Sequence, residues 1–157
     1  MLARGLATAI VVAILDQLSK AAVLAFFAGR GFGDREIVTS FFNLSLTYNR
    51  GISFGLFNGG AGMGALVFSL AAAAIVAVLI YWLSRVSSPF LAVAIGLIIG
   101  GAMGNVIDRL RLGAVVDFLD FHVGSLHWPA FNLADSAICV GVAAMLLDGL
   151  LLRREAH

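Results

Sequence analysis

Two carboxylates are the groups in this chain best placed to do chemistry. Asp135 sits in Phe131-Asn132-Leu133-Ala134-Asp135-Ser136, at the mouth of an apolar stretch long enough to cross a membrane. Asp117 lies in Val115-Val116-Asp117-Phe118, wrapped in β-branched and aromatic neighbours. If they meet, they cannot both ionise cheaply, so one pKa rises and the pair holds a shared proton. The ionised member then takes a proton from water while the protonated member polarises a peptide carbonyl. The chemistry implied is aspartic-type peptide hydrolysis at the edge of a bilayer, without a covalent intermediate. No Ser/His or Cys/His pairing competes for that role.

Other polar residues stand where lipid should not tolerate them. Asp16, Ser19 and Lys20 share a helical face, and a charge at mid-bilayer costs at least about 2.5–3.5 kcal/mol. Two readings stand for Asp16 and Lys20: an i,i+4 ion pair that neutralises itself in the bundle, or support for a polar site between helices. Asn105, Asp108 and Arg109 fall on one face beside a stripe of Gly96, Gly100, Gly101 and Gly104 that admits close helix approach. They read as an interfacial cap and anchor or, preferably, as the lining of a peptide-binding pocket. Asn132 and Asp135 are spaced as N-cap and N3 of a helix, a relative of the capping box. A helix start accounts for Asp135 but not for Asp117. His122 and His127 fit no familiar metal-ligand spacing and read, with Trp128, as interface residues, so no metal or other cofactor is expected.

The elements that must position these groups are membrane spans. The chain of 157 residues is 61% hydrophobic and 12% charged, with a mean hydropathy of +1.03, against about a quarter charged in a soluble domain. Stretches at about 6–27, 62–83, 90–107 and 133–152 are long enough to span hydrocarbon. The expected fold is an integral membrane, mainly α protein: four transmembrane helices in a single membrane domain, 1–157. The first stretch carries Asp16 and Lys20 and is too long for a signal-peptide core, so it is expected to remain as a helix. A net charge of +1 without a Lys/Arg cluster argues against nucleic acid. The lone Cys139 reads as a small buried hydrophobe.

Four spans put both termini on one side, with Arg4, Arg85, Arg153 and Arg154 concentrated in tails and a tight loop, which favours termini inside. The two outer loops, about 28–61 and 108–132, are expected to form a small extracytoplasmic β platform on the membrane face. Phe42 to Tyr48 alternates apolar with polar as a half-buried strand does. Asn49-Arg50-Gly51 supplies a turn, and Ile52 to Phe57 is a candidate return strand. Gly113, Gly124 and Pro129 break the second loop.

Five blocks together resemble bacterial lipoprotein signal peptidase, or signal peptidase II. They are Asp16-Gln17-Leu18-Ser19-Lys20, Asn49-Arg50-Gly51-Ile52-Ser53-Phe54, Gly101-Ala102-Met103-Gly104-Asn105-Val106-Ile107-Asp108-Arg109, Val115-Val116-Asp117-Phe118 and Phe131-Asn132-Leu133-Ala134-Asp135-Ser136, in the family's order. The residues after Asn49 depart from the smaller ones frequent in the family. The resemblance implies an aspartic endopeptidase that removes the signal peptide from diacylglyceryl-modified prolipoproteins before the lipidated cysteine. It places the protein in the bacterial inner (cytoplasmic) membrane, multi-pass, termini cytoplasmic, with its active site near the outer face. It implies Asp117 and Asp135 as catalytic, and Asp16, Lys20, Asn49, Asn105, Asp108, Arg109 and Asn132 as substrate-binding or supporting. Membrane lipid is an expected partner and globomycin an expected inhibitor.

Two other classes compete. A small proton-coupled transporter or channel would explain Asp16 and Lys20, but not why the polar residues gather at one face. A non-enzymatic assembly subunit would leave Asp117 and Asp135 as cap and anchor.

Overall fold

The computed structural model describes residues 1–30, 34–51 and 61–155. Four helices, α1 (Leu2–Phe26), α2 (Ala61–Leu83), α3 (Pro89–Leu112) and α4 (Leu133–Glu155), alternate with four strands, β1 (Arg35–Ile37), β2 (Phe42–Asn49), β3 (Val115–Val123) and β4 (Leu126–His127). All four helices contain a stretch long and apolar enough to cross a membrane, where a backbone must satisfy its own polar groups. The expected architecture of four spans and a small antiparallel sheet is borne out.

Glycine makes α3 the centre of the bundle. Gly96 and Gly100 press against Gly5, Thr8, Ala9 and Val12 of α1, while Gly101 presses against Ala134 and Ile138 of α4. A Cβ on Gly100 would stand 2.5 Å from the Ala9 carbonyl oxygen, so the α1–α3 approach depends on its absence. The remaining face of α3, with Ala92, Ile95 and Ile99, packs on Val76, Leu79 and Leu83 of α2. Three neighbours thus surround one helix.

Helix α3 starts where the Ser88 hydroxyl accepts from the Leu91 N–H and Pro89 fits the first turn. It ends at Gly113, whose φ of 70° stops it in the left-handed region. The third span was expected to end near residue 107. The helix instead runs one turn further, because Asn105, Asp108 and Arg109 point along its sides and the breaker is Gly113.

The sheet has the order β1-β2-β3-β4, antiparallel throughout. It hangs beside the C-terminal ends of α1 and α3, where Val23 and Phe27 pack with Val116 and Phe118. The turn after β2 forms as expected, with the Gly51 N–H donating to the Asn49 side chain at 2.9 Å. The candidate strand 52–57 lies outside the described residues. Cys139 corrects its expectation: it is exposed, because the apolar face of a spanning helix is covered by lipid rather than by protein.

Candidate active site

The register of β2 on β3 builds one wall of the site. Asn43 pairs with Asp120 and Leu44 with Leu119, whereas Thr47 pairs with Asp117 and Asn49 with Val115; a bulge between Leu44 and Thr47 absorbs the shift. Beyond the bulge, the Thr47 hydroxyl donates to the Asp117 carbonyl at 3.1 Å, and Asn49 Nδ2 donates to Asp117 Oδ2 at 3.1 Å.

The start of α4 builds the other wall. Phe131 is zipped to β3: its carbonyl accepts from the N–H groups of Phe118 and Leu119, and its own N–H donates to Leu119. That brings Asn132 beside Asp117, and Asn132 Nδ2 donates to Asp117 Oδ1 at 2.7 Å. The capping box also closes, with the Asp135 N–H on Asn132 Oδ1 at 2.9 Å and the Asn132 N–H on Asp135 Oδ2 at 3.2 Å. Asn132 therefore touches both carboxylates. Asn105 Nδ2 donates to the other oxygen of Asp135 at 2.8 Å. Asp135 is thus a helix cap, as its spacing from Asn132 implied, and it lies on the same asparagine as Asp117.

Behind this lies a buried ionic cluster. Lys20 Nζ sits 2.8 Å from Asp16 Oδ2 and 2.8 Å from Asp108 Oδ2, and donates to Asn105 Oδ1 at 3.1 Å. An ammonium has three protons, and each finds an acceptor. The cluster joins the elements: Asp108 also accepts from the Val116 N–H, fixing β3 to α3, and Asp16 Oδ1 accepts from the Ala134 N–H, capping α4 from α1. Gln17 adds a bond to Asp108 Oδ1 at 2.9 Å. Asp16 and Lys20 form the i,i+4 ion pair that their spacing offered, and Asp108 joins it. Asp108 turns inward to this cluster, while the Arg109 guanidinium lies over the Phe68 ring, 5.5 Å from its centroid.

Asp117 is the tuned group. Burial first, then the neighbouring Asp135 charge, push its carboxyl up, and the bonds from Asn49 and Asn132 together with the Lys20 charge only partly offset this; it settles at about 6. A cavity of about 480 Å³ lined by Thr47, Tyr48, Asn49, Arg50, Gly51, Asp117 and Ala130 gives access to it. A carboxyl raised to about 6 beside a second carboxylate, reached from an open cavity, is equipped for acid–base work on a polar bond.

The model of the family described as Signal peptidase (SPase) II matches residues 8–151. The chain belongs to the signal peptidase II family. It is therefore a peptidase. Lipoprotein signal peptidases of Burkholderia mallei, Burkholderia pseudomallei and Burkholderia cenocepacia are 47% identical to it over 150 residues, covering 95% of this chain and 89% of theirs. A bacterial membrane enzyme solved in meso at 1.9 Å aligns with a TM-score of 0.78 at 31% identity, over 93% of this chain and 92% of that one. A second, at 2.3 Å, gives a TM-score of 0.74 at 31% identity over 93% and 87%.

Three participants in this signal peptidase II fold escaped the sequence reading. Gln17, between Asp16 and Lys20, gives no signal of its own in the sequence. Asn43 was hidden in the polar phase of β2, although alternation flagged its face. Asp120 stands three residues after Asp117 with no motif around it to mark it. It accepts from Asn43 at 3.0 Å and lies 2.7 Å from His127 Nδ1. Burial raises the Asp120 carboxyl, but the bonds from His127 and Asn43 outweigh it and hold it below the usual range. His122 stacks on His127 with ring centroids 4.8 Å apart. Among the described residues no three His, Cys, Asp or Glu groups are arranged to hold a metal ion.

Proposed function

We propose that Asp117 and Asp135 are the catalytic pair with which this peptidase removes the signal peptide from diacylglyceryl-modified prolipoproteins, cutting before the lipidated cysteine. The observation that carries this reading is Asn132, which hydrogen-bonds both carboxylates at once. The pair shares one proton. Its ionised member takes a proton from water, whose oxygen bonds to the scissile carbonyl carbon, while its protonated member gives a proton to the carbonyl oxygen. The tetrahedral intermediate then collapses: the C–N bond breaks, the amine leaves with a proton returned by the dyad, and the new carboxyl group stays on the signal peptide.

Supporting roles follow from the contacts. Asn49 and Asn132 orient Asp117, Asn105 orients Asp135, and the Lys20 cluster with Asp16 and Asp108 fixes the frame that carries them. Arg109 holds peptide carbonyls near the cut. The substrate reaches the site sideways through the bilayer, since burial of acyl chains at about 0.8 kcal/mol per CH₂ gives recognition with few polar contacts. The density of arginine in the tails and the α2–α3 turn supports cytoplasmic termini, with sheet and dyad at the outer face of the inner membrane. Globomycin then competes for the same cleft. Family membership favours this reading over a proton-coupled transporter.

The test is cleavage of a diacylglyceryl-modified precursor by purified protein in detergent. Wild type cuts before the cysteine, and well-folded Asp117→Asn and Asp135→Asn variants do not. A variant that keeps its rate removes that residue from the dyad.

A further inference from the structure

We propose that Asp120, on the opposite face of β3 from the dyad, is a positioning residue for Asp117 that acts through the bulge in β2. The inference rests on Asp117 being catalytic and adds a determinant of its geometry.

The argument is one of parity. Successive side chains on a strand point to opposite faces, so Asp117 and Asp120 face opposite ways along β3. Asn43 and Asn49, which serve them, would share a face on an uninterrupted β2. Both bonds, Asn43 to Asp120 at 3.0 Å and Asn49 to Asp117 at 3.1 Å, exist together only because β2 carries one extra residue between Leu44 and Thr47. A bulge gives up ladder pairing and bends its strand, so something must hold it. The Asp120 carboxylate is placed to do so: it is buried and ties three strands, taking Asn43 from β2 on one oxygen and His127 from β4 on the other.

Without that tie β2 has two uninterrupted registers available. One keeps the pairing of Phe42 with Phe121 and turns Asn49 off Asp117. The other keeps the pairing of Thr47 with Asp117 but straightens β2, since a bulge bends the strand that carries it. In either case Asn49 no longer meets the reacting carboxyl as it does now.

The experiment measures kcat, KM and the pH profile of precursor cleavage for Asp120→Ala, Asp120→Asn, Asn43→Ala and Asn49→Ala, and for the double variant Asp120→Ala/Asn49→Ala. Asp120→Ala and Asn43→Ala are expected to lower kcat about tenfold to a hundredfold, the scale of a small misplacement at a reacting group, with KM nearly unchanged. Asp120→Asn, which still offers an oxygen to Asn43, restores most of the rate. In the double variant the second substitution adds little, because both act through the same bond. The ionisation of Asp117, which Asp135, Arg109, Lys20, Asn49 and Asn132 face from α4, α3, α1, β2 and the start of α4, moves to higher pH in Asp120→Ala as it does in Asn49→Ala. Wild-type kcat in Asp120→Ala, or fully multiplicative losses in the double variant, overturns the proposal. Should Asp120→Ala fail to fold, Asn43→Ala decides from the other strand. An active Asp117→Asn control would sink the catalytic reading itself, whereas an inactive one beside a normal Asp120→Ala sinks only this inference.

Discussion

Lys20→Met removes one charge and leaves two carboxylates behind. The ammonium lies 2.8 Å from Asp16, 2.8 Å from Asp108 and 3.1 Å from Asn105, and all three acidic or basic side chains are at most 3% exposed. Breaking a buried ion pair by deleting one partner costs about 3–5 kcal/mol, because the abandoned charge has no water to turn to. Here two carboxylates are abandoned, so the loss belongs at the upper end, about 5 kcal/mol. Against a typical total of about 5–15 kcal/mol, that is a large share. It should appear as a fall in melting temperature on the order of 10 °C. The assay is thermal unfolding of purified protein in detergent, followed by tryptophan fluorescence, with precursor cleavage measured alongside. Lys20→Met/Asp108→Asn should recover part of the loss by removing one of the stranded charges. A loss below about 1 kcal/mol in Lys20→Met, the scale of a solvated surface pair, would refute the reasoning and mean that water reaches the cluster.

Cleavage should carry an ionisation near the Asp117 value of about 6 in kcat/KM, activity falling as pH rises and the shared proton is lost. Bound substrate excludes water and disfavours the charged form, so the same limb in kcat should lie at higher pH; coincident limbs would contradict this. Asn49→Ala removes a bond that favours the ionised carboxylate and should move the limb upward, and a downward shift would reverse the assignment. Gly100→Ala forces a methyl group onto the Ala9 carbonyl and should cost about 1–3 kcal/mol by overpacking, read as a lower melting temperature. Cys139→Val, on the lipid-facing surface, should change stability by less than about 0.5 kcal/mol.

Much of this was legible in the chain, for identifiable reasons. Length and hydropathy disclosed the spans, since a bilayer leaves few alternatives to an apolar helix. Alternation disclosed β2, and the capping pattern at Asn132 and Asp135 located the start of α4. What the sequence hid is long-range. Nothing local says that Asp16 caps α4, that Asp108 holds the Val116 N–H, or that Asn43 and Asn49 serve opposite faces of β3. The bulge is a one-residue event that a period-two pattern blurs. Cys139 was misread because an apolar neighbourhood implies burial in water but not in lipid.

The division of the site among elements has a consequence in time. A chain is made from its N-terminus, so Asp16 and Lys20 enter the membrane first, then Asn49, then Asn105 and Asp108, then Asp117. Asp135 and the Asn132 that bridges the pair come after all of them. With Asp117 and Asp135 as the proposed catalytic pair, a nascent chain that has delivered every other participant holds only one member of it and cannot hydrolyse a peptide bond. Competence arrives in one step, when the start of α4 docks between α1 and β3. On that reading, the order of synthesis keeps an unfinished protease silent.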